Sequence, residues 1–151
     1  MPLPIRALPT FPDAALLLTR VWVGVLGVYH GGQKLFGLFD GPGIEGFTGF
    51  LTSLKIPLPH LNAYMAGGAE FFGGLLIAAG LFTRPASALF MFTMLVAAFT
   101  AHAGKFDGQR GGGEYPLTLA VITAGLLLAG PGRFAVGRLL GFGSGTAPAA
   151  K

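Results

Sequence analysis

The sequence contains no cysteine among its 151 residues. This absence excludes disulfide bonds, thiolate nucleophiles and cysteine metal ligands for this chain. Sulfur chemistry through a thiol therefore cannot be this chain's own.

Charged residues are scarce as well. Only 11% of the chain is charged, 52% is hydrophobic, and the mean hydropathy is +0.67. A soluble domain usually carries about 25% charged residues, so this composition predicts an integral protein of the lipid bilayer. The ten Lys and Arg residues are spread near the ends of apolar runs, as topology signals are. This spread argues against a nucleic-acid partner, despite the net charge of +4.

Four apolar runs are long enough to predict membrane-spanning helices. Their approximate bounds are 14–38, 61–82, 83–103 and 114–130. Asp13 and Thr83 are expected to cap the first and third helices. The connections are short, so successive helices should be antiparallel. The predicted fold is all-α: an integral membrane four-helix bundle with up-down-up-down topology.

The connection between spans 1 and 2 predicts a further, short helix. Ile44, Phe47, Leu51 and Leu54 recur at helical spacing within residues 40–59. Most of the polar residues fall elsewhere around the same helix: Glu45, Thr48, Thr52 and Lys55. Such an amphipathic helix is expected to lie in the membrane interface or to fold back onto the bundle.

The basic residues predict the orientation and the location of the chain. The side that carries both termini has Arg6, Arg84, Arg133, Arg138 and Lys151. The opposite side has Lys55, Lys105 and Arg110. The positive-inside rule then predicts a multi-pass protein of a bacterial-type inner or plasma membrane, with both termini in the cytoplasm. We divide the chain into an N-terminal segment (1–12), a membrane domain (13–140) and a Gly/Ala/Pro-rich tail (141–151), which is expected to be flexible.

Glu70 is the residue on which the functional prediction depends. It is the only charged residue from Leu61 to Phe82. A carboxylate at the centre of a spanning helix costs roughly 2.5–3.5 kcal/mol on insertion scales. Glu70 therefore needs a partner, a bound proton or a function.

Two faces rich in small residues predict where that partner lies. Span 1 has Arg20, Gly24, Gly27, Gly31 and Lys34 at intervals of four and three, and span 2 has Ala66, Glu70, Gly73, Ile77 and Gly80 at the same intervals. Small residues allow two helices to approach closely in lipid. We therefore expect Glu70 to lie against span 1, with His30 and Lys34 as its partners. Arg20, at the other end, is expected to point toward the cytoplasmic lipid headgroups.

The other ionisable and polar residues predict a network in the outer half of the bundle. Its members are His30, Gln33, Lys34, Glu70, His102, Glu114 and Tyr115. Each charged member also has a structural interpretation. Glu70 with Lys34 can serve only to fix helix register, Glu114 is favourably placed at a helix N-terminus, and His102 can be an interfacial residue. The Glu and His residues do not have the E-x-x-H spacing of bundle metal sites, so no metal site is predicted.

These residues lie in segments that resemble the DoxX family of small membrane proteins. The segments are RVWVG (20–24), GGQKLFG (31–37), EFFGGLLIAAGLFTRPA (70–86), His102, GEYPL (113–117) and GPGR (130–133). The resemblance covers roughly residues 13 to 140. It implies a four-helix integral membrane protein. Some members are associated with a membrane oxidoreductase that passes electrons from thiosulfate to quinone, and others with complexes that handle oxidative stress.

The first hypothesis is a membrane subunit of an oxidoreductase system that binds quinone as its cofactor and docks a redox partner subunit. Glu70, Lys34 and Glu114 would form its proton and charge network. His30, His102, Gln33 and Tyr115 would contact the quinone. The alternative is a non-catalytic scaffold or anchor for a partner complex. A transporter is disfavoured because only the outer half is polar. The surplus of glycine-rich faces would also permit a homo-oligomer.

Overall fold

A computed structural model of the chain describes residues 11–141. Its helices are α1 (Pro12–Phe36), α2 (Gly43–Ser53), α3 (Pro59–Ala79), α4 (Thr83–Phe99), α5 (Glu114–Ala129) and α6 (Val136–Leu139), with a 3₁₀ turn at Gly108–Arg110. This part of the chain contains no β-strand, which confirms the all-α prediction. The predicted N-terminal segment and tail lie almost entirely outside the described residues.

The helix ends follow local sequence signals. Proline occupies the first position of α1 and of α3, where its missing N–H is not needed. Gly37 and Gly80 end these helices with φ of 68° and 73°, in the left-handed region that glycine adopts without a steric penalty. Both predicted caps, Asp13 and Thr83, are wrong. Phe11 precedes α1 and Phe82 precedes α4 at the cap positions.

Neither Asp13 nor Thr83 caps a helix with its side chain. The carboxylate of Asp13 accepts a hydrogen bond of 2.7 Å from the backbone N–H of Arg133, and thereby ties the start of α1 to the segment after α5. The Thr83 hydroxyl is buried and has no hydrogen-bond partner among the described residues.

The long helices pack around a common core. The most extensive contacts join α1 to α3 and α4 to α5. Further contacts join α3 to α4 and α1 to α5. The core contains Val23, Ile77, Phe90, Met94, Leu119 and Leu126. This arrangement leaves a space between the four long helices toward the end that carries the 3₁₀ turn, and the candidate site lies there.

Glycine allows α1 and α3 to approach closely, as the spacing predicted. A Cβ atom on Gly27 would lie 2.7 Å from the carbonyl oxygen of Glu70 and 3.0 Å from the Cα of Gly74. Gly73, which we expected at this interface, instead faces α4, because a Cβ there would lie 3.8 Å from the ring of Phe90. The backbone of α3 thus contacts α1 through Gly74, one residue along from the expected position.

The predicted amphipathic helix is present as α2. Phe47 is buried, Ile44 and Leu51 are half-buried, and Glu45 and Thr52 are exposed. The apolar face that the sequence predicts is therefore the face that packs against α1 and α3.

One helix in the described part of the chain, α1, is both long and apolar enough to cross a membrane by length and composition. Helices α4 and α5 are shorter and apolar. Large apolar side chains are exposed around the outside of the fold, including Trp22, Phe72, Phe92 and Val121. An apolar surface of this extent marks a protein that contacts lipid or another protein.

Candidate functional site

A cavity of about 270 Å³ lies between α1, α3, α4 and α5. Its apolar walls are formed by Leu26, Phe90, Met94, Ala97, Pro116 and Leu119. Five polar side chains also line it: His30, Lys34, Glu70, His102 and Tyr115. Ligand sites typically combine such apolar walls with a few convergent polar groups.

Lys34 and Glu70 form an ion pair at the cavity wall, which confirms one of the two predicted partners. The ammonium group of Lys34 donates to both carboxylate oxygens of Glu70. The residue Glu70 is only 1% exposed, whereas Lys34 is partly accessible. The ring of Phe47 lies over the ammonium, 5.4 Å from centroid to nitrogen, in a cation–π contact. Helix α2 therefore covers the cationic end of the pair.

His30 does not bond Glu70 but takes part in a separate chain of hydrogen bonds. Its Nδ1 lies 3.2 Å from Oε1 of Gln33, and its Nε2 lies 3.1 Å from the hydroxyl of Tyr115. The amide nitrogen of Gln33 donates to the carbonyl of Phe39 at 3.3 Å. This contact assigns Oε1 as the atom that faces His30.

The orientation of the Gln33 amide assigns the tautomer of His30. An amide oxygen can only accept, so Nδ1 of His30 carries a proton. In the neutral imidazole, Nε2 then accepts a hydrogen bond from the hydroxyl of Tyr115. When the ring gains a second proton, Nε2 becomes a donor and the Tyr115 hydroxyl is free to donate elsewhere.

His102 lines the cavity from the connection that follows α4. Its Nδ1 lies 2.8 Å from the carbonyl oxygen of Gly111 and donates to it, which leaves the Nε2 lone pair available in the neutral ring. Within residues 11–141, Nε2 has no hydrogen-bond partner. The connection between α4 and α5 thus holds His102 by one nitrogen.

Two of the seven predicted site residues do not line the cavity. Glu114 accepts a hydrogen bond of 3.0 Å from the backbone N–H of Gly108, so its carboxylate fastens the 3₁₀ turn to α5. Gln33 acts on the site only through His30. The structure therefore groups His30, Lys34, Glu70, His102 and Tyr115 and leaves Glu114 outside.

Arg20 lies at the opposite end of α1, and our prediction for it is wrong. Its side chain is completely buried instead of pointing toward headgroups. It donates to the carbonyl oxygens of Ile77 at 3.4 Å and Ala78 at 3.2 Å, and to that of Phe134 at 2.8 Å. The reason is that the last carbonyls of a helix lack partners within that helix, and α3 ends beside Arg20.

No three His, Asp or Glu side chains in the described ranges converge as metal ligands would. The chemistry available at the cavity is therefore that of an ion pair, two imidazoles and a phenol within apolar walls.

Comparisons with known proteins agree on one family. The DoxX family model matches residues 15–103. The chain is 33% identical over 129 residues to the inner membrane protein YphA of Escherichia coli (strain K12), a match that covers 82% of this chain and 88% of that protein. It is also 33% identical over 119 residues to the "Putative oxidoreductase CatD" of Bacillus subtilis (strain 168), covering 78% and 81%. No solved structure matches the chain.

Proposed function

The chain belongs to the DoxX family of membrane proteins, and we propose that it is the integral membrane subunit of an oxidoreductase system whose cavity binds a quinone head group. The name of the CatD relative supports a link to oxidoreductases. The name of the YphA relative supports a location in a bacterial inner membrane.

In this proposal α1, α3, α4 and α5 cross the bilayer in up-down-up-down order, with both termini in the cytoplasm. Helices α4 and α5 have 17 and 16 residues, near the lower limit of roughly 17 residues for a span. The exposed apolar residues around the helices support contact with acyl chains. The end of the bundle that carries α6 also carries Arg84, Arg133 and Arg138. This positive charge supports a cytoplasmic location for that end.

One observation carries the proposal: an apolar cavity of about 270 Å³ has a half-buried ion pair and two imidazoles on its walls. This volume lies just below the range of roughly 300–1,000 Å³ that is typical of pockets for drug-sized ligands. A single substituted ring fits such a space. An apolar tail would extend from the ring into the surrounding lipid.

The polar residues of the cavity match the needs of a quinone carbonyl. A bound quinone takes up two electrons and two protons when it is reduced, and the electrons would come from a redox partner subunit. The Lys34 ammonium, held at the wall by Glu70, stabilises negative charge on a neighbouring oxygen. If His30 takes up a proton, its Nε2 would donate to Tyr115 and leave the phenol proton free for donation into the cavity. His102 provides a second imidazole on the wall.

Saturable binding of a short-chain benzoquinone to the detergent-purified protein tests the proposal. Ala97 lines the cavity, so Ala97→Leu should fill it and weaken binding at least tenfold. Ala129→Leu makes the same change at an exposed position of α5 and should bind as the wild type does. Equal binding by both variants, or no saturable binding to the wild type, would overturn the proposal.

A non-catalytic scaffold is the second candidate function, and the closed geometry of the ion pair favours it. Both carboxylate oxygens of Glu70 are engaged by Lys34, as a pair that only fixes helix register would be. If the chain is a scaffold, Glu70→Gln should lower its thermal stability, and quinone should not change the thermal stability of any variant. A stabilising effect of quinone on the wild type that is lost in Ala97→Leu would exclude it.

A further inference from the structure

We propose that the segment after α5, residues 131–140, forms with Arg84 a surface that binds the headgroups of anionic phospholipids. We call it the arginine surface. The proposal is independent of quinone binding, because the surface lies at the opposite end of the helices from the cavity.

The inner side of this segment is fastened to the helix ends. The N–H of Arg133 donates to Asp13 of α1 at 2.7 Å, and the carbonyl of Phe134 accepts from Arg20 at 2.8 Å. Ala135 is buried beside Gly80, since a Cβ on Gly80 would lie 2.7 Å from that of Ala135. These contacts fix which side chains of the segment face outward.

The outward side chains combine large apolar groups with guanidinium groups. Leu139 is 87% exposed, and Phe134, Val136 and Leu140 are exposed as well. Arg133 and Arg138 are exposed among them. Exposed apolar residues next to Arg are typical of segments that lie at the boundary of headgroups and acyl chains. The apolar side chains enter the acyl region, and the arginines stay at the level of the phosphates.

The guanidinium groups have no acidic partner in the described part of the chain. No ion pair within residues 11–141 involves Arg84, Arg133 or Arg138. The carboxylate of Asp13 lies beside the segment, but it accepts a hydrogen bond from the backbone N–H of Arg133 and forms no ion pair within residues 11–141. Guanidinium binds phosphate oxygens through two parallel hydrogen bonds. The uncompensated charge therefore fits an anionic phospholipid.

Arg84 extends the surface across the start of α4. It is exposed, and its terminal nitrogen lies 3.5 Å from the carbonyl oxygen of Leu128, at the end of α5. This contact directs the guanidinium toward the turn that leads into residues 131–140, the segment that carries Arg133 and Arg138.

The test measures the melting temperature of the full-length protein in neutral detergent after addition of phosphatidylglycerol or phosphatidylcholine. Phosphatidylglycerol should raise the melting temperature more than phosphatidylcholine does. In the double variant Arg133→Gln/Arg138→Gln, the difference between the melting-temperature shifts with the two lipids should fall by at least half. The control Lys105→Gln/Arg110→Gln removes two exposed charges from the opposite end and should keep it.

The proposal is overturned by equal shifts with the two lipids, by an undiminished difference in the Arg133/Arg138 variant, or by an equal loss in the control. Inorganic phosphate serves as the probe for a free anion, and a shift as large as that of phosphatidylglycerol would also overturn it. If the double variant does not fold, Arg84→Gln and Arg138→Gln are measured singly. Each should then lose part of the difference between the lipids.

Discussion

The ammonium of Lys34 bonds both carboxylate oxygens of Glu70, and this pair joins α1 to α3 at the wall of the cavity. The other two ion pairs of the described chain, at Glu45 and Asp107, lie on exposed side chains. A charge pair inside the helices holds the register of α1 and α3 and also places a cation beside the space that a ligand would occupy.

Removing one partner of this pair should lower the free energy of unfolding more than removing both partners does. Lys34→Met leaves the buried Glu70 carboxylate without a cation, and breaking a buried pair costs about 3–5 kcal/mol. The double variant Lys34→Met/Glu70→Gln leaves no unpaired charge and should recover most of that loss. Unfolding free energies of the wild type, both single variants and the double variant, measured in mixed micelles, give the coupling energy. A coupling near zero would contradict the account.

Gly27 should tolerate no side chain. A Cβ atom there would lie 2.7 Å from the carbonyl oxygen of Glu70 and 2.8 Å from the ring of Phe90. Gly27→Ala must therefore push α1 away from α3, at a cost of about 1–3 kcal/mol for overpacking. Gly125 of α5 has open space around the same position, so Gly125→Ala should be neutral or slightly stabilising. Thermal unfolding in detergent compares the two variants, and equal destabilisation would refute the packing argument.

Even a conservative substitution of Arg20 should destabilise the protein. Its guanidinium reaches the carbonyls of Ile77, Ala78 and Phe134 at once, and a compact ammonium cannot contact all three. Arg20→Lys should lower the free energy of unfolding by about 1–3 kcal/mol, the cost of unsatisfied buried groups. The matched variant Arg84→Lys, at an exposed position, should change it by less than about 0.5 kcal/mol. Equal losses of unfolding free energy in the two variants would contradict this role of Arg20.

Gln33 should determine the tautomer of His30. In the wild type, the Gln33 oxygen keeps the proton on Nδ1, so ¹⁵N spectra of histidine-labelled protein should show a single tautomer for His30. Gln33→Leu removes the acceptor and should give a mixture of tautomers. Gln109→Leu, in the exposed 3₁₀ turn, serves as the control and should leave the spectrum of His30 unchanged. An unaltered His30 signal in Gln33→Leu would contradict the assignment.

Residue spacing predicted the contact between α1 and α3 because both helices are regular there. The four-and-three intervals of Arg20, Gly24, Gly27 and Gly31 define one face, and the structure buries all four residues. The partner of Glu70 followed from the same register. The amphipathic pattern of α2 likewise identified the face that carries Phe47.

Features that depend on contacts between helices distant in sequence were not predicted in detail. The contact of His30 with Tyr115 requires the register of α1 against α5, which no local pattern encodes. The burial of Arg20 depends on where α3 ends. Gly80, a helix-terminating residue, was the available signal, since a helix that ends there leaves its last carbonyls without their usual partners four residues later. The position of Glu114 depends on the loop that contains Gly108.

The most direct test of the central claim is a density map of the detergent-purified protein incubated with a short-chain benzoquinone. The account predicts ring-shaped density in the cavity, within hydrogen-bond distance of Tyr115 or of the Lys34 ammonium. A map with no ligand density in the cavity at a saturating quinone concentration, or with density only on the lipid-facing surface, would contradict it.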